Sequence, residues 1–545
     1  MMIRKKMEYE KNVNRILVLL CLCSIVLCVF VSAVMAQTYP MVKPEGSSNR
    51  LSSMARVRVE HFQVEGNTVI SAQELAKITA PYEKREITSE EMQQLRRELT
   101  LYYVNKGYIT SGVVIPDQKA SNGIIVLDVV EGKLTGIEIE GNKYLRTSYI
   151  SKRLMPHKNW VVNVHKLQQA LLILEQNPRI KRINAELEPG VRVGESTLKV
   201  KVEENLPYKA GVEINNASPP SVGGIQGEVF LAHQSVTGNG DTLAAHLGVT
   251  EGLINYDFSY AFPVTARDTT VRLHYRKNES TVIESAFKDL NIESRTETFG
   301  MTVSHPLYRQ GGREFSLGLT GEYRRSEDFL LGEPFSFSEG EQEGRTNISV
   351  LRFLQDYIDR DLKQVIAVRS TFSFGIDAFG ATMNPSGPTG KFTAWQGQAQ
   401  WIRRLTESDW QSVLRTSVQL TPNRLLVPEQ FSVGGMESVR GYRENRLVRD
   451  NGIASSIELR VPVFRNKQGE SIVQLCPFFD TGAAWSTGGD TTDPDSISSA
   501  GLGLRWAISS KINFQIYGGI PFRVFKNSND LQDKGVHFRL SGYAF

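Results

Sequence analysis

From Pro207 to Phe545 the chain is written in short alternating runs. In "AWQGQAQW", Trp395, Gly397, Ala399 and Trp401 share one face, and Gln396, Gln398 and Gln400 take the other. In "VIAVRSTFSFGI", Ile366, Val368, Phe372, Phe374 and Ile376 oppose Ala367, Arg369, Thr371 and Ser373; in "NYDFSYAF", Tyr256, Phe258, Tyr260 and Phe262 line up. A period of two is the mark of a strand between two environments. The polar side carries full charges, among them Arg272, Arg369, Arg415, Glu458 and Arg460, opposite aromatic residues suited to lipid and its interfaces. That favours a transmembrane antiparallel β-barrel over a soluble sandwich. The connections agree: 237–241, 263–268, 308–314 and 405–409 are short, whereas 324–346, 377–391, 421–451 and 486–498 are long and polar. Counting predicts about sixteen strands, an even number, enclosing a wide polar lumen that must stand open or be obstructed.

Upstream, the period changes. A strand ending in "EGN" occurs twice, in "FQVEGNTVI" from Phe62 and "IEIEGNKYL" from Ile137, with Gly66 and Gly141 in equivalent places. Helical patterns follow each copy. Thr88 and Glu91 have capping-box spacing, and Met92, Leu95, Leu99 and Tyr102 fall on one face. In the second copy Asn163 caps a helix with Leu167, Ala170, Leu171 and Leu174 as its apolar face, ended by Pro178. Each copy closes with strands, "GIIVLDVVEG" from Gly123 and "STLKVKVEE" from Ser196. The boundaries read as a module at 57–134, a second at 135–206 and the barrel at 207–545.

The first residues have a different texture. Arg4, Lys5, Lys6 and Arg15 precede an apolar run, 16–36, that ends in "VMA", so 1–36 reads as a cleaved signal peptide and 37–56 as a linker. Cys28 follows Leu27, which is too large for lipoprotein processing. Of the four Cys, three lie in this leader, leaving Cys476 without an internal partner. The eight His have no paired ligand spacing, so neither a metal nor a cofactor is expected. A net charge of +4 is too near zero to imply nucleic acid.

Two stretches carry chemistry. "PFFDTGAAW", residues 477–485, contains the Asp-Thr-Gly of aspartic proteases. Those enzymes need two such loops, because their carboxylates share one proton. This chain has one, so neither an enzyme nor a catalytic residue is expected. Strand alternation puts Phe478, Asp480, Gly482 and Ala484 on the lumen side, and Phe479, Thr481, Ala483 and Trp485 toward lipid. The second stretch is "GGMESVRGYREN", from Gly434, in the longest connection. An Arg on an infolded loop could bind Asp480 bidentately, which is stronger and more directional than a Lys contact.

The order strand, helix, helix, strand, strand resembles the POTRA (polypeptide-transport-associated) domain. The first copy is similar to the variant found in two-partner secretion transporters, through Gly107-Tyr108, Pro116, Gln118, Gly123 and Val130-Glu131-Gly132. Val439-Arg440-Gly441-Tyr442 resembles the VRGY/F motif of the POTRA-barrel superfamily, on its sixth extracellular loop. Phe478, Asp480 and Gly482 match the F-x-D-x-G strand motif one hairpin later. The mature chain as a whole resembles the FhaC/ShlB/HecB, or hemolysin secretion/activation, type.

That resemblance implies two α+β POTRA domains in the periplasm, the first of ShlB type, and an outer-membrane translocator. It would pass a large unfolded β-helical partner, such as an adhesin or cytolysin, without ATP, and activation of that partner is a further role of the type. A free strand edge of a POTRA module suits an extended chain, by main-chain hydrogen bonds. Arg440 is expected to pair with Asp480 as a loop-barrel latch. Gly441 is expected to permit a tight tip, and Tyr442 to pack on the inner wall beside Val439. Glu458 and Arg460 would hold the loop's base or be ordinary lumen charges. Tyr543 and Phe545 resemble the signal read by the barrel-assembly machinery, although Phe538 and Leu540 sit on the opposite parity and Gly542 is a candidate bulge. Outer-membrane lipid is the remaining partner. Relatives carry an N-terminal plug helix; residues 37–56 hold Pro40 and Pro44 and no apolar helical face, so closure is expected to rest on the infolded loop. The alternative is a factor that assembles other barrels, as BamA-like relatives do, though those have more POTRA modules.

Overall fold

The computed structural model describes residues 50–544, except 121, 156–159, 489–493 and 526–529. The expected leader, linker residues 37–49 and Phe545 lie outside the described residues.

The first module contains β1 (Arg56–Val59), β2 (His61–Glu65), α1 (Ala72–Thr79), β3 (Arg85–Thr88), α2 (Ser89–Asn105), β4 (Gly112–Val114) and β5 (Ile124–Val130). β1 pairs antiparallel with β3, and β2 pairs parallel with β5. The start of α2 is fixed by a reciprocal capping box. Thr88 N–H donates to Glu91 Oε2 (2.8 Å) and Glu91 N–H to Thr88 Oγ1 (3.2 Å), satisfying donors that a helix start leaves orphaned. Met92, Leu95 and Leu99 are buried, but Tyr103 rather than Tyr102 continues the face. A step of four from Leu99 reaches the core; Tyr102 is half-buried, with the Lys106 ammonium 5.4 Å from its ring centroid.

The second module contains β6 (Lys133–Glu140), α3 (Thr147–Leu154), β7 (Trp160–Val161), α4 (Val164–Glu175), β8 (Ile180–Pro189) and β9 (Glu195–Glu204), in sheet order β7-β6-β9-β8. Asn163 Oδ1 caps α4 by accepting Lys166 N–H (3.2 Å), and Leu167 and Leu174 join a core with Leu134, Ile150 and Val200.

The repeat goes deeper than "EGN". Gly66 and Gly141 have φ of 81° and 86°, and a Cβ would lie 2.4 Å from Val129 O and 2.3 Å from Val202 O, so nothing larger fits. Asn67 and Asn142 donate to Ile70 O and Leu145 O. The turn that follows is held by a glutamate at the end of the closing strand, Glu131 just past β5 and Glu204 the last residue of β9. Glu131 Oε1 accepts the N–H groups of Thr68 (2.7 Å) and Val69 (3.0 Å). Glu204 accepts those of Lys143, Tyr144 and Leu145 (2.8, 2.6 and 2.9 Å). Glu204→Ala removes the acceptor for three N–H groups and is expected to destabilise the second module by about 2 kcal/mol or more. Limited proteolysis of the full protein across a urea series measures it.

The barrel strands are β10 (Tyr208–Asn215), β11 (Gln226–His233), β12 (Thr242–Val249), β13 (Leu253–Pro263), β14 (Thr270–Thr281), β15 (Glu293–Gln310) and β16 (Arg313–Leu330). After the two-residue β17 (Glu333–Pro334) come β18 (Arg345–Arg360), β19 (Gln364–Gly375), β20 (Thr393–Arg404) and β21 (Gln411–Leu420). A long connection then holds β22 (Phe431–Val433) and β23 (Leu447–Arg449). β24 (Asn451–Arg465), β25 (Ser471–Trp485), β26 (Ser496–Ala507), β27 (Ile512–Pro521) and β28 (Val536–Tyr543) complete the circuit, and β28 pairs with β10. Leaving aside β17, the described residues form a closed antiparallel barrel of sixteen strands.

Two connections are shorter than the sequence suggested. The expected loop 324–346 contracts because β16 runs to Leu330 and β18 starts at Arg345, and the turn 308–314 contracts to Gly311-Gly312. The cause of the first is compositional. Beyond Phe299 and Tyr323 the outer face of β15, β16 and β18 turns charged, with Arg295 bound to Glu293 and both Arg325 and Arg345 to Glu327. The ladder continues where the hydrophobic alternation has stopped. At the other end of the chain, the β28 register runs unbroken through Gly542, so no bulge separates Tyr543 from the strand. Tyr543 keeps the parity of buried His537 and Ser541, but lies half-exposed at the strand end.

The second module meets the turns of the adjoining barrel rim. Arg179 Nε donates to Gln234 O (2.9 Å) and its Nη2 to Thr242 Oγ1 (2.7 Å), while Arg153 pairs with Asp268.

The sixth loop and its seat

Residues 421–450, between β21 and β24, fold into the lumen rather than away from the barrel. Their pattern explains why. Phe431, Val433, Val439, Tyr442 and Leu447 are buried in one apolar cluster with Ala454, Ala484 and Ile497 of the inner wall. Removing that much apolar surface from water favours the inward fold. β22 and β23 pair antiparallel, so the loop has a two-stranded stem and a tip, 434–446.

The tip carries Arg440, and its side chain is 3% exposed. Its Nε donates to Asp480 Oδ2 (2.8 Å) and its Nη2 to Asp480 Oδ1 (2.9 Å), a bidentate pair; the Arg440 backbone N–H adds a third bond to Oδ2 (3.0 Å). Nη1 donates to Glu458 Oε2 (2.5 Å) and Nη2 to Ser456 Oγ (3.0 Å). Arg460 Nε donates to the other Glu458 oxygen (2.8 Å). Two cations and two carboxylates thus balance, with Arg440, Asp480 and Glu458 buried and Arg460 at the site's edge. The guanidinium also lies over Phe478, 3.7 Å from the centroid, and near Tyr517 at 4.7 Å. Both Asp480 oxygens accept from Arg440, so this carboxylate serves an ion pair with the loop.

Gly441 does more than tighten a tip. Its φ is 94°, and a Cβ there would lie 3.2 Å from the backbone of Gly519. Its N–H donates to His537 Nε2 (3.1 Å), and Ser499 Oγ donates to Arg440 O. Tyr442 packs on the wall and its hydroxyl donates to Ser498 O (2.9 Å). A Cβ on Gly482 would lie 2.5 Å from Val433 and 3.2 Å from Val439, so the space it leaves is taken by loop valines rather than by Asp480. Beyond the seat, Arg443 Nη2 reaches Asp533 Oδ2 (2.9 Å) and its Nη1 reaches Glu284 (3.0 Å), in two other loops. Glu444 accepts Met436 N–H (2.7 Å), and burial pushes its carboxyl up.

His537, Ser499, Gly519 and Tyr517 complete the seat and went unnoticed in the sequence. Each is an inward position of a late strand, and only the strand register identifies it. Tyr543 lies at the far end of β28 and takes no part. Among the described residues, no group of His, Cys, Asp and Glu could hold a metal ion.

A closed sixteen-strand barrel behind N-terminal POTRA domains, with a loop folded into its lumen, defines the class of POTRA-barrel outer-membrane proteins. The model of the haemolysin secretion/activation protein family ShlB/FhaC/HecB matches residues 194–506, and that of the ShlB-type POTRA domain matches 57–132. The chain belongs to the ShlB/FhaC/HecB family, and it is an outer-membrane two-partner secretion transporter with its POTRA domains in the periplasm. It is 23% identical to the outer membrane transporter CdiB of Escherichia coli, over 85% of this chain and 78% of that one. It is 22% identical to the hemolysin transporter protein ShlB of Serratia marcescens, over 79% and 77%. The solved structure of CdiB from Escherichia coli has the same fold, with a TM-score of 0.67, 21% identity and 93% of each chain covered.

Proposed function

We propose that the Arg440–Asp480 contact is the latch that keeps the sixth loop seated, and that an unfolded secreted protein passes only when the tip lets go. The observation that carries this reading is a bidentate ion pair, 3% and 0% exposed, between a loop tip and the barrel wall. Glu458 is its second acceptor and Arg460 the counter-charge that fixes Glu458. Removing one member of such a cluster leaves an uncompensated buried charge, at a cost of about 3–5 kcal/mol. The seat therefore accepts this charge arrangement and penalises the loss of any one member, and the tip leaves where competing contacts replace it. Beside the loop remains a cavity of about 820 Å³, lined by Gln396, Gln398, Gln400, Ser417 and Ser455 among others. Amide and hydroxyl groups offer a passing backbone replaceable hydrogen bonds.

The second module, 135–206, is a POTRA domain like the first, 57–134. The matched glycine, asparagine and glutamate turns support that reading. The two modules receive a large β-helical secreted partner in extended form, and the partner's folding outside supplies the driving force. Loss of this protein from cells that make the partner is expected to trap the partner in the periplasm while porin assembly stays normal. Immunoblots of periplasm and medium measure it. Normal secretion with misassembled porins instead would favour a barrel-assembly factor.

A further inference from the structure

The sixth loop is fastened at a second place. Before β22, the turn Val427–Glu429 crosses to β16 and β18, the seventh and eighth of the sixteen strands, whereas the strands that seat the tip are the twelfth to sixteenth. The Glu429 side chain is 7% exposed. Its Oε1 accepts Arg352 Nη2 (2.8 Å) and its Oε2 accepts Arg352 Nη1 (3.0 Å), a second bidentate pair. Arg324 Nη1 donates to Pro428 O (2.7 Å) and lies 3.4 Å from Glu429 Oε1, and Glu322 accepts from both arginines. The root is also tied to the strand ends. Gln419 Nε2 donates to Glu429 O (2.9 Å), and Asp450 Oδ1 accepts Leu425 N–H (2.8 Å) and Gln430 Nε2 (3.1 Å).

Between root and tip the backbone changes hand on both strands of the stem. Gly434 and Gly435 have φ of 117° and 100°, and Asn445, just ahead of β23, has φ of 57°. These are the positions where a segment can swing without breaking the β22–β23 ladder.

We propose that the loop is built in two parts. The root, 425–433 with 447–450, is a fixed mount held by Glu429 on Arg324 and Arg352; the tip, 434–446, pivots about Gly434-Gly435 and Asn445. Glu429 is a positioning residue for transport. It keeps the mount aligned, so that the tip finds its seat again after each passage. This rests on the latch reading, in which the tip leaves Asp480.

The test separates root from tip by cross-linking in a Cys476→Ala background. With Glu429→Cys and Arg352→Cys left unbridged, secretion of the partner is expected to fall about ten-fold, because the bidentate clamp on the root is gone while Arg324 and Glu322 still pair with each other. Joining the two thiols with a short bifunctional thiosulfonate is expected to restore secretion to within about two-fold of the parent, since a fixed root is what transport needs. Bridging Glu437→Cys on the tip to Arg539→Cys on β28, whose native side chains meet at 3.0 Å, is expected to stop secretion. Heat-dependent gel migration reports a closed barrel for each protein. Should the pair at 429 and 352 not assemble, Glu429→Gln is expected to lower secretion and Glu429→Asp to recover part of it. Parental secretion by the unbridged pair or by Glu429→Gln overturns the clamp, and secretion that stays lost after bridging the root overturns the fixed mount. Secretion that continues with the tip bridged instead overturns the latch reading and leaves the root results to stand alone.

Discussion

Arg440→Asp is expected to reduce secretion about a hundred-fold or more, and adding Asp480→Arg is expected to recover part of that loss, not all. The single change places a third carboxylate beside Glu458 and Asp480, which are 2% and 0% exposed, and removes the cation that compensates both. Buried charge without a partner costs about 3–5 kcal/mol, enough for that factor. The double variant restores the charge count and allows an Arg–Asp contact in reversed order. It does not restore the rest of the seat. The native guanidinium also binds Ser456 and Glu458 and lies on Phe478, whereas an aspartate at 440 faces Glu458 with like charge. Partner protein in the medium, relative to total, is the measurement. A double variant no better than either single one would mean that direct pairing does not seat the loop.

Gly519→Ala is expected to unseat the tip without touching a charge. The added Cβ would lie 2.8 Å from both Cα and N of Gly441 and 3.0 Å from the carbonyl carbon of Arg440. All three are backbone atoms, so no rotamer change relieves the clash and the tip must back away. Its hydrogen bonds to Asp480 and His537 then lengthen together. Secretion is expected to fall about ten-fold, the loss of one or two well-formed buried bonds. Channel conductance in planar bilayers is expected to rise. Gly518→Ala is the control, because a Cβ there meets nothing within 4 Å. Equal conductance for both variants would show that the tip does not rely on this close approach.

The barrel was legible wherever one face of a strand meets lipid. Trp395 and Trp401, or Phe372 and Phe374, announce their strands by a period of two. The same rule failed above Phe299 and Tyr323, where water bathes the outer face and the side chains become charged while the backbone ladder continues. The Arg440 and Asp480 motifs could be read as a pair because each is local, a few residues in a row. His537, Ser499, Gly519 and the Glu429 clamp could not. They meet the loop from strands far from it in the chain, and that meeting depends on register and stagger, which single side chains do not encode. The twin glutamates Glu131 and Glu204 lie between these cases. Both close a strand of their module, but their work on the turn after "EGN" appears only once that turn is folded against them.

The uneven height of the wall has an outward consequence. β15 and β16 have 18 residues each, and β10, β11, β12 and β28 have 8. A spanning strand needs about 9–11 residues, so the wall that β15, β16 and β18 form beyond Phe299 and Tyr323 stands clear of the lipid on one side of the pore. Its rigidity comes from main-chain bonds, which do not depend on what the outward side chains are. That side of the molecule is an exposed, rigid surface whose residues can be exchanged at little cost to the fold.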